Sequence, residues 1–149
     1  MLEFVWRATR RQEPITSLAD LVDVSVVFAD RLAPEGVAVV VLDAEQRPVA
    51  GFSVFERNDP GWLGDAIEAA RQIGVLQEPA GSIVLVSVRP GDDRFVAAHD
   101  ADRWATCTAE ADAAGWPLLE WIVATPRSMI LPRERAGVSS RLGVDAPPG

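Results

Sequence analysis

The sequence predicts an α/β (α+β) protein in which a mixed β-sheet is sandwiched by helices. Two apolar runs, residues 37–42 and 82–88, lack polar alternation, which is typical of strands buried on both faces. Segments with apolar residues three and four positions apart separate these runs, as they do when helices cover a sheet. No glycine-rich phosphate-binding pattern follows either run, which argues against a Rossmann or P-loop fold.

The N-terminal half begins with a short strand in residues 2–8 and continues with a helix. Thr16 or Ser17 is suited to cap this helix, and apolar residues recur at helical spacing up to residue 32. The apolar run 37–42 is followed by a polar turn and a returning strand, residues 49–55, so the two form a hairpin. Gly51 inside the second strand predicts a β-bulge.

The C-terminal half alternates helices and strands. Asp59 and Pro60 predict a helix start, with Asp59 as the cap, and Gly74 ends that helix. After the run 82–88, a further helix is predicted from Asp100 to Gly115, with Asp100 or His99 as its cap. Strands over residues 118–125 and 128–131 follow. The apolar periodicity stops at residue 133, so we expect a lead-in strand (1–15), one domain (16–133) and a flexible tail (134–149).

The composition limits the classes of function. The net charge of −8 disfavours a nucleic-acid partner, because binding nucleic acid needs a basic surface. The longest apolar run is far shorter than a membrane span of about 20 residues. The lone cysteine, Cys107, lies on an apolar helix face and is expected to be a core residue of a cytoplasmic protein. Trp62 and Trp121, if exposed, would indicate a partner surface.

Three strings carry a resemblance to one family. The hairpin VVVLDAEQRPVAGF (39–52) resembles the pattern LLDAxNRVIxxE of the RadC family, a bacterial branch of the JAMM/MPN (JAB) metalloprotease fold. The strand and loop SIVLVSVRPGDD (82–93) is similar to that family's AVILVHNHPSGD. The segment 99–125 resembles its SxxD helix and the strand that follows. The three strings occur in the family's order, and the match spans about residues 16–133.

The resemblance implies a JAMM/MPN architecture, a three-layer fold like that of cytidine deaminases, with a zinc site. In the family, two histidines of an HxH motif and one aspartate bind zinc, and an upstream glutamate activates the zinc-bound water. The histidine positions fall on Ser87 and Arg89, and the aspartate falls on Asp102. The glutamate position falls on Phe52 or Ser53. One ligand of three therefore remains, and the site is degenerate.

Two interpretations of this degenerate site stay open. In the first, Arg89 forms a salt bridge with Asp102 in place of the metal, since a guanidinium keeps its positive charge where the cation would lie. In the second, His99 and Asp102, with nearby acids such as Asp92, Asp93 and Asp100, form a remodelled site for a metal. The ordinary explanation of these acids is that they solubilise the loop and cap the helix.

The function expected from these observations is that of a catalytically inactive RadC-like domain, without cofactor, that binds or scaffolds another protein. The alternative is a zinc-dependent hydrolase or peptidase with a remodelled site around His99 and Asp102. A nucleic-acid-linked role is the third candidate, and the acidic charge argues against it. The partner is an unidentified protein, neither nucleic acid nor membrane is expected to bind, and a homodimer is left open.

Overall fold

The computed structural model describes residues 4–32, 36–55, 60–77, 81–89, 97–126 and 128–141. The helices and strands are, in chain order, β1 (Phe4–Arg7), α1 (Leu18–Ala29), β2 (Gly36–Leu42), β3 (Pro48–Phe55), α2 (Trp62–Gln72), β4 (Ser82–Val88), α3 (Ala97–Ala113), β5 (Leu118–Ala124), β6 (Met129–Ile130) and α4 (Pro132–Arg135). The predicted order of elements from β1 to β6 is confirmed. Helix α4 was not predicted.

The six strands form one mixed sheet in the order β1-β3-β2-β4-β5-β6. Strands β2 and β3 form the predicted hairpin, and β4 lies antiparallel on the other side of β2. Strands β4 and β5 are parallel, and α3 is the crossover that connects them. The short strands β1 and β6 pair antiparallel at the two edges.

Helices cover both faces of this sheet, so the predicted mixed sheet between helices is confirmed. Along β2, Val37, Val39 and Val41 face α2 and α3, while the alternate residues 38, 40 and 42 face α1. Every residue of β2 is buried, which explains why its sequence lacks polar alternation. We refer to the two sides as the α2/α3 face and the α1 face.

The helix ends follow from local sequence. Ser17 caps α1, because its Oγ accepts a hydrogen bond from the amide of Asp20. Helices α2 and α3 both end at a glycine with positive φ, Gly74 (78°) and Gly115 (83°). The residue after each glycine turns back to the last helical turn: Val75 N donates to Ala70 O at 2.9 Å, and Trp116 N donates to Ala111 O at 3.0 Å. Since Val75 and Trp116 are buried, these turns also attach both helix ends to the core.

Two predictions in the N-terminal half need correction. Gly51 does not mark a bulge: it pairs regularly with Val40 and Trp6, and the register shift lies between Val41 and Leu42. Gly51 instead leaves room for the ring of Phe28, because a Cβ there would lie 2.8 Å from Phe28 Cε1. Helix α2 begins after Gly61 rather than at Pro60, and the predicted cap Asp59 lies outside the described residues.

The C-terminal half also differs from the prediction. Helix α3 begins at Ala97, so His99 and Asp100 lie inside its first turn and do not cap it. Trp62 and Trp121 are buried, which excludes them as exposed partner contacts. The described part of the tail, residues 134–141, makes polar contacts, which an apolar periodicity cannot predict. Arg141 Nη1, for example, donates to the carbonyl of Leu118 at 3.0 Å. Residues 142–149 lie outside the described part, and the division into 1–15, 16–133 and 134–149 stays a prediction.

Candidate functional site

Ser87 and Arg89 lie at the carboxyl end of β4, on the α2/α3 face. The alternation of the strand places them there, because Ile83 and Leu85 belong to the same face and successive side chains point to opposite sides. Both residues are buried despite being polar. We call the group formed by Ser87, Arg89, Asp100, Arg103 and Trp121 the strand-end corner.

Ser87 satisfies a buried indole in this corner. Trp121 lies on the neighbouring strand β5 and is fully buried, and its Nε1 donates to Ser87 Oγ at 2.8 Å. Without this acceptor the indole N–H would be buried without a hydrogen bond, which costs about 1–3 kcal/mol. The hydroxyl therefore has a structural role, and its position is defined by the tryptophan.

Arg89 forms a buried ion pair with Asp100 of α3. Arg89 Nη1 donates to Asp100 Oδ2 at 2.8 Å, and the two side chains are 10% and 1% exposed. The backbone of Arg89 is fixed as well, since its amide donates to the carbonyl of Ala124 at 2.9 Å. The pair joins the end of β4 to the first turn of α3. Because the two charges are buried in a region of low dielectric, removing either one would leave the other without a counter-charge.

Two guanidinium groups lie against the Trp121 ring. The Cζ of Arg89 is 5.6 Å from the ring centroid and that of Arg103 is 5.2 Å, both within the range of a cation–π interaction. In the described part of the chain, Asp100 Oδ1 is buried and lacks a hydrogen-bond partner. Among the described residues, the corner thus combines two guanidinium groups with one carboxylate.

The other predicted site residues are divided between the two faces and the surface. Phe52 is fully buried on the α2/α3 face, the face that also carries Ser87 and Arg89. Ser53 is the next residue along β3 and therefore points to the α1 face. His99 and Asp102 belong to α3 and are exposed. The structure therefore brings Ser87 and Arg89 together and leaves His99 and Asp102 outside the corner.

The expected salt bridge between Arg89 and Asp102 is wrong, because the partner of Arg89 is Asp100. The physical reason is the position of α3, whose first turn already contains Asp100. A residue two positions further along a helix lies about 200° around its axis, so Asp102 points away from the sheet when Asp100 points toward it. Asp92 and Asp93 lie outside the described residues.

The strand-end corner does not fit the zinc site that the resemblance implies. One predicted ligand position holds a guanidinium, which cannot lose its proton to become a ligand. The other holds a hydroxyl already bonded to an indole. Within the described ranges, no group of three His, Cys, Asp or Glu side chains is arranged to hold a metal ion.

A second buried ion pair, which the sequence analysis did not predict, joins Glu120 of β5 to Arg133 of α4. Arg133 Nε donates to Glu120 Oε2 at 2.8 Å, and the side chains are 13% and 0% exposed. Glu120 pairs with Val84, so it lies on the α1 face, opposite the strand-end corner. Burial raises the pKa of the Glu120 carboxyl, and the hydrogen bond and charge of Arg133 offset this only in part. A lone acid inside the apolar string LLEWIVA is the signal that could have indicated it.

A groove of about 520 Å³ lies at the other end of the α2/α3 face. Its polar residues include Arg7, Asp43 and Glu45, and these side chains already have local partners. Asp43 Oδ1 accepts from the amides of Glu45 and Arg47, and Arg7 Nη1 donates to Gly74 O at 3.2 Å. The polar groups of the groove thus hold the β2–β3 turn and the end of α2 in place.

Comparison with known proteins gives no family assignment. No protein-family model matches the chain, and no curated protein matches its sequence. The resemblance to the RadC family therefore rests on the three strings alone. In the part of the chain that the structure describes, no helix is long and apolar enough to cross a membrane.

Proposed function

We propose that this chain is a RadC-like JAMM/MPN domain without catalytic activity, which binds or scaffolds another protein. The observation that carries the proposal is the buried ion pair between Arg89 and Asp100. It occupies the end of β4, where the resemblance implies a zinc ion and its water. A fixed guanidinium at that place repels a divalent cation and provides no lone pair for it.

Fold and composition are consistent with this proposal. The hairpin, the parallel pair β4–β5 and the crossover helix α3 follow the order in which the three family-like strings occur. The packed cores on both faces support the proposal of a domain that keeps a stable frame without metal ligands. The net charge of −8 favours a protein partner over a nucleic acid, and the single buried cysteine is consistent with a cytoplasmic location.

A metal-dependent hydrolase with a remodelled site is the second candidate. It is favoured by the exposure of His99 and Asp102, which lie three residues apart on α3. Residues at this spacing are neighbours on a helix surface and can share one ligand. In this alternative, His99 and Asp102 would supply two ligands of a weak zinc site, and a water would complete it.

Metal analysis of the untagged protein, purified without chelator and then dialysed against zinc, separates the two candidates. We expect far less than one zinc per chain, and no difference between the protein and the variant His99→Ala/Asp102→Ala. The matched control is Asp65→Ala, which removes an exposed acid from α2. One zinc per chain that is lost in the double variant but kept in Asp65→Ala would support the hydrolase and contradict the proposal.

A further inference from the structure

The solvent side of α1 carries an apolar patch between two acids. Helix α1 packs on the sheet through Leu21, Ser25 and Phe28, which are its buried residues. The exposed residues at helical spacing on its opposite side form what we call the outer stripe: Ala19, Asp23, Val26, Val27 and Asp30. Val26 is 44% exposed and Val27 is 56% exposed, so the stripe presents two neighbouring apolar side chains to solvent.

The packing of the fold does not account for the exposed valines and the C-terminal aspartate of the outer stripe. Valine is a poorer helix former than alanine because its branched side chain is restricted in a helix, and an exposed valine gains little from burial in return. Asp30 is the C-cap of α1, where the helix dipole disfavours a negative charge. Both features lower the stability of the helix, and both lie on the outer stripe. Such departures from local rules are expected at functional sites.

Asp20, on the same helix, differs from Asp23 and Asp30 because local hydrogen bonds explain its position. Its carboxylate accepts hydrogen bonds from the amide and the hydroxyl of Thr16, at 3.0 and 2.9 Å, and these bonds lower its pKa. Its position is therefore explained by the start of the helix. Asp23 and Asp30 instead lie exposed on either side of the two valines.

We infer that the outer stripe of α1 is a docking site for a basic amphipathic segment of another protein. This inference rests on the proposed function and identifies the surface that carries it. Apolar side chains of the partner cover Val26 and Val27, and arginine or lysine side chains reach Asp23 and Asp30. The two acids are seven residues apart, which is about 10 Å along the helix axis, so a partner helix with basic residues at i and i+7 matches them.

A second copy of the chain fits the same stripe poorly. An antiparallel pair of α1 helices centred on the valines would place Asp23 of each copy against Asp30 of the other. Like charges at contact distance are repulsive and disfavour this arrangement. An anionic membrane surface is disfavoured by the same two acids. The two acids of the stripe therefore favour a cationic partner over an anionic one.

Titration of the ¹⁵N-labelled full chain with two synthetic peptides tests the inference. The first peptide is an amphipathic helix of about five turns with a leucine stripe flanked by arginines at i and i+7; the second has glutamate in place of each arginine. We expect the arginine peptide to shift the amide signals of α1 and the glutamate peptide to shift none of them. Val26→Ala/Val27→Ala should weaken binding of the arginine peptide at least about tenfold while the melting temperature stays equal or rises.

Matched controls separate this result from nonspecific attraction to an acidic protein. Asp23→Asn/Asp30→Asn should weaken binding and flatten its salt dependence, whereas Asp65→Asn on α2 and Val49→Ala on β3 should leave it unchanged. Equal binding by the valine variant, shifts centred outside α1, or a dimer in sedimentation that the valine variant abolishes would each overturn the inference. The zinc measurement tests the proposed function separately, because His99 and Asp102 lie outside the stripe.

Discussion

The two buried ion pairs lie on opposite faces of one sheet and differ in how completely they are satisfied. Glu120 uses both oxygens, since Oε2 accepts from Arg133 and Oε1 accepts from the amide of Trp121. Asp100 uses Oδ2 for Arg89, while Oδ1 lacks a partner among the described residues. Among the described residues, the carboxylate at the end of β4 is therefore the less completely hydrogen-bonded of the two.

The largest expected effect is the loss of the Arg89–Asp100 pair. Arg89→Ala leaves the Asp100 carboxylate buried without its cation, which should cost about 3–5 kcal/mol of unfolding free energy. Chemical denaturation measures the change. If the melting temperature of Arg89→Ala equals that of the parent protein, the pair does not hold the corner together.

A double variant sharpens this prediction. Arg89→Met/Asp100→Leu removes both charges, so it should be more stable than Arg89→Ala although it carries one more substitution. Asp102→Ala is the matched control on the same helix, and it should change stability by less than about 0.5 kcal/mol because Asp102 is exposed. A loss in Asp102→Ala as large as that in Arg89→Ala would contradict the assignment of Asp100 as the partner.

The second largest loss of stability is expected from the Glu120–Arg133 pair on the α1 face. Arg133→Met removes the cation from Glu120 and should cost about 3 kcal/mol at neutral pH. We expect the loss to be somewhat smaller than for Arg89→Ala, because the raised pKa of Glu120 makes it easier for that carboxyl to take up a proton once its cation is removed. The loss should also shrink on acidification, since a protonated Glu120 no longer needs a counter-charge. Denaturation of the parent protein and of Arg133→Met at several pH values measures the size of the stability loss and its pH dependence. A loss that does not change with pH would contradict the expected effect of Glu120 protonation.

The comparison of the two pairs shows what the sequence could and could not predict. Unbroken apolar runs predicted β2 and β4, and Ser17, Gly74 and Gly115 indicated where helices begin and end, because these signals are local. The partner of Arg89 is a contact between distant residues, which local signals do not encode. The expected pairing with Asp102 came from the ligand position that the resemblance implies, whereas the structure pairs Arg89 with Asp100 in the first turn of α3.

The remaining site residues depended on contacts that local patterns do not encode. Glu120 is a polar residue in an apolar strand, and its partner Arg133 comes from a segment without apolar periodicity. The hydrogen bond between Ser87 and Trp121 joins residues 34 positions apart. Such pairs become visible only once the register of β4 and β5 is known.

The third effect concerns the indole in the strand-end corner. Ser87→Ala removes the acceptor of Trp121 Nε1 and leaves that donor buried, which should cost about 1–3 kcal/mol. Thermal unfolding followed by Trp fluorescence gives the magnitude. Ser139→Ala is the matched control, because Ser139 is an exposed serine of the described tail. Equal stability of Ser87→Ala and the parent protein would show that the hydroxyl is not needed by the tryptophan.

The smallest expected effect is the part of the pH dependence of the free energy of unfolding that comes from Glu120. Burial raises the pKa of its carboxyl in the folded protein above the unfolded value, so its protonated form is favoured by folding. The contribution of this group to stability is therefore fully present below the unfolded pKa of about 4.5 and is lost as the pH rises through the folded pKa. Glu120→Gln does not titrate, so the free energy of unfolding of the parent protein, measured relative to this variant, should fall as the pH rises from about 4 toward neutral. An increase over that range would mean that the ion pair with Arg133 outweighs the burial and that folding favours the charged form of Glu120.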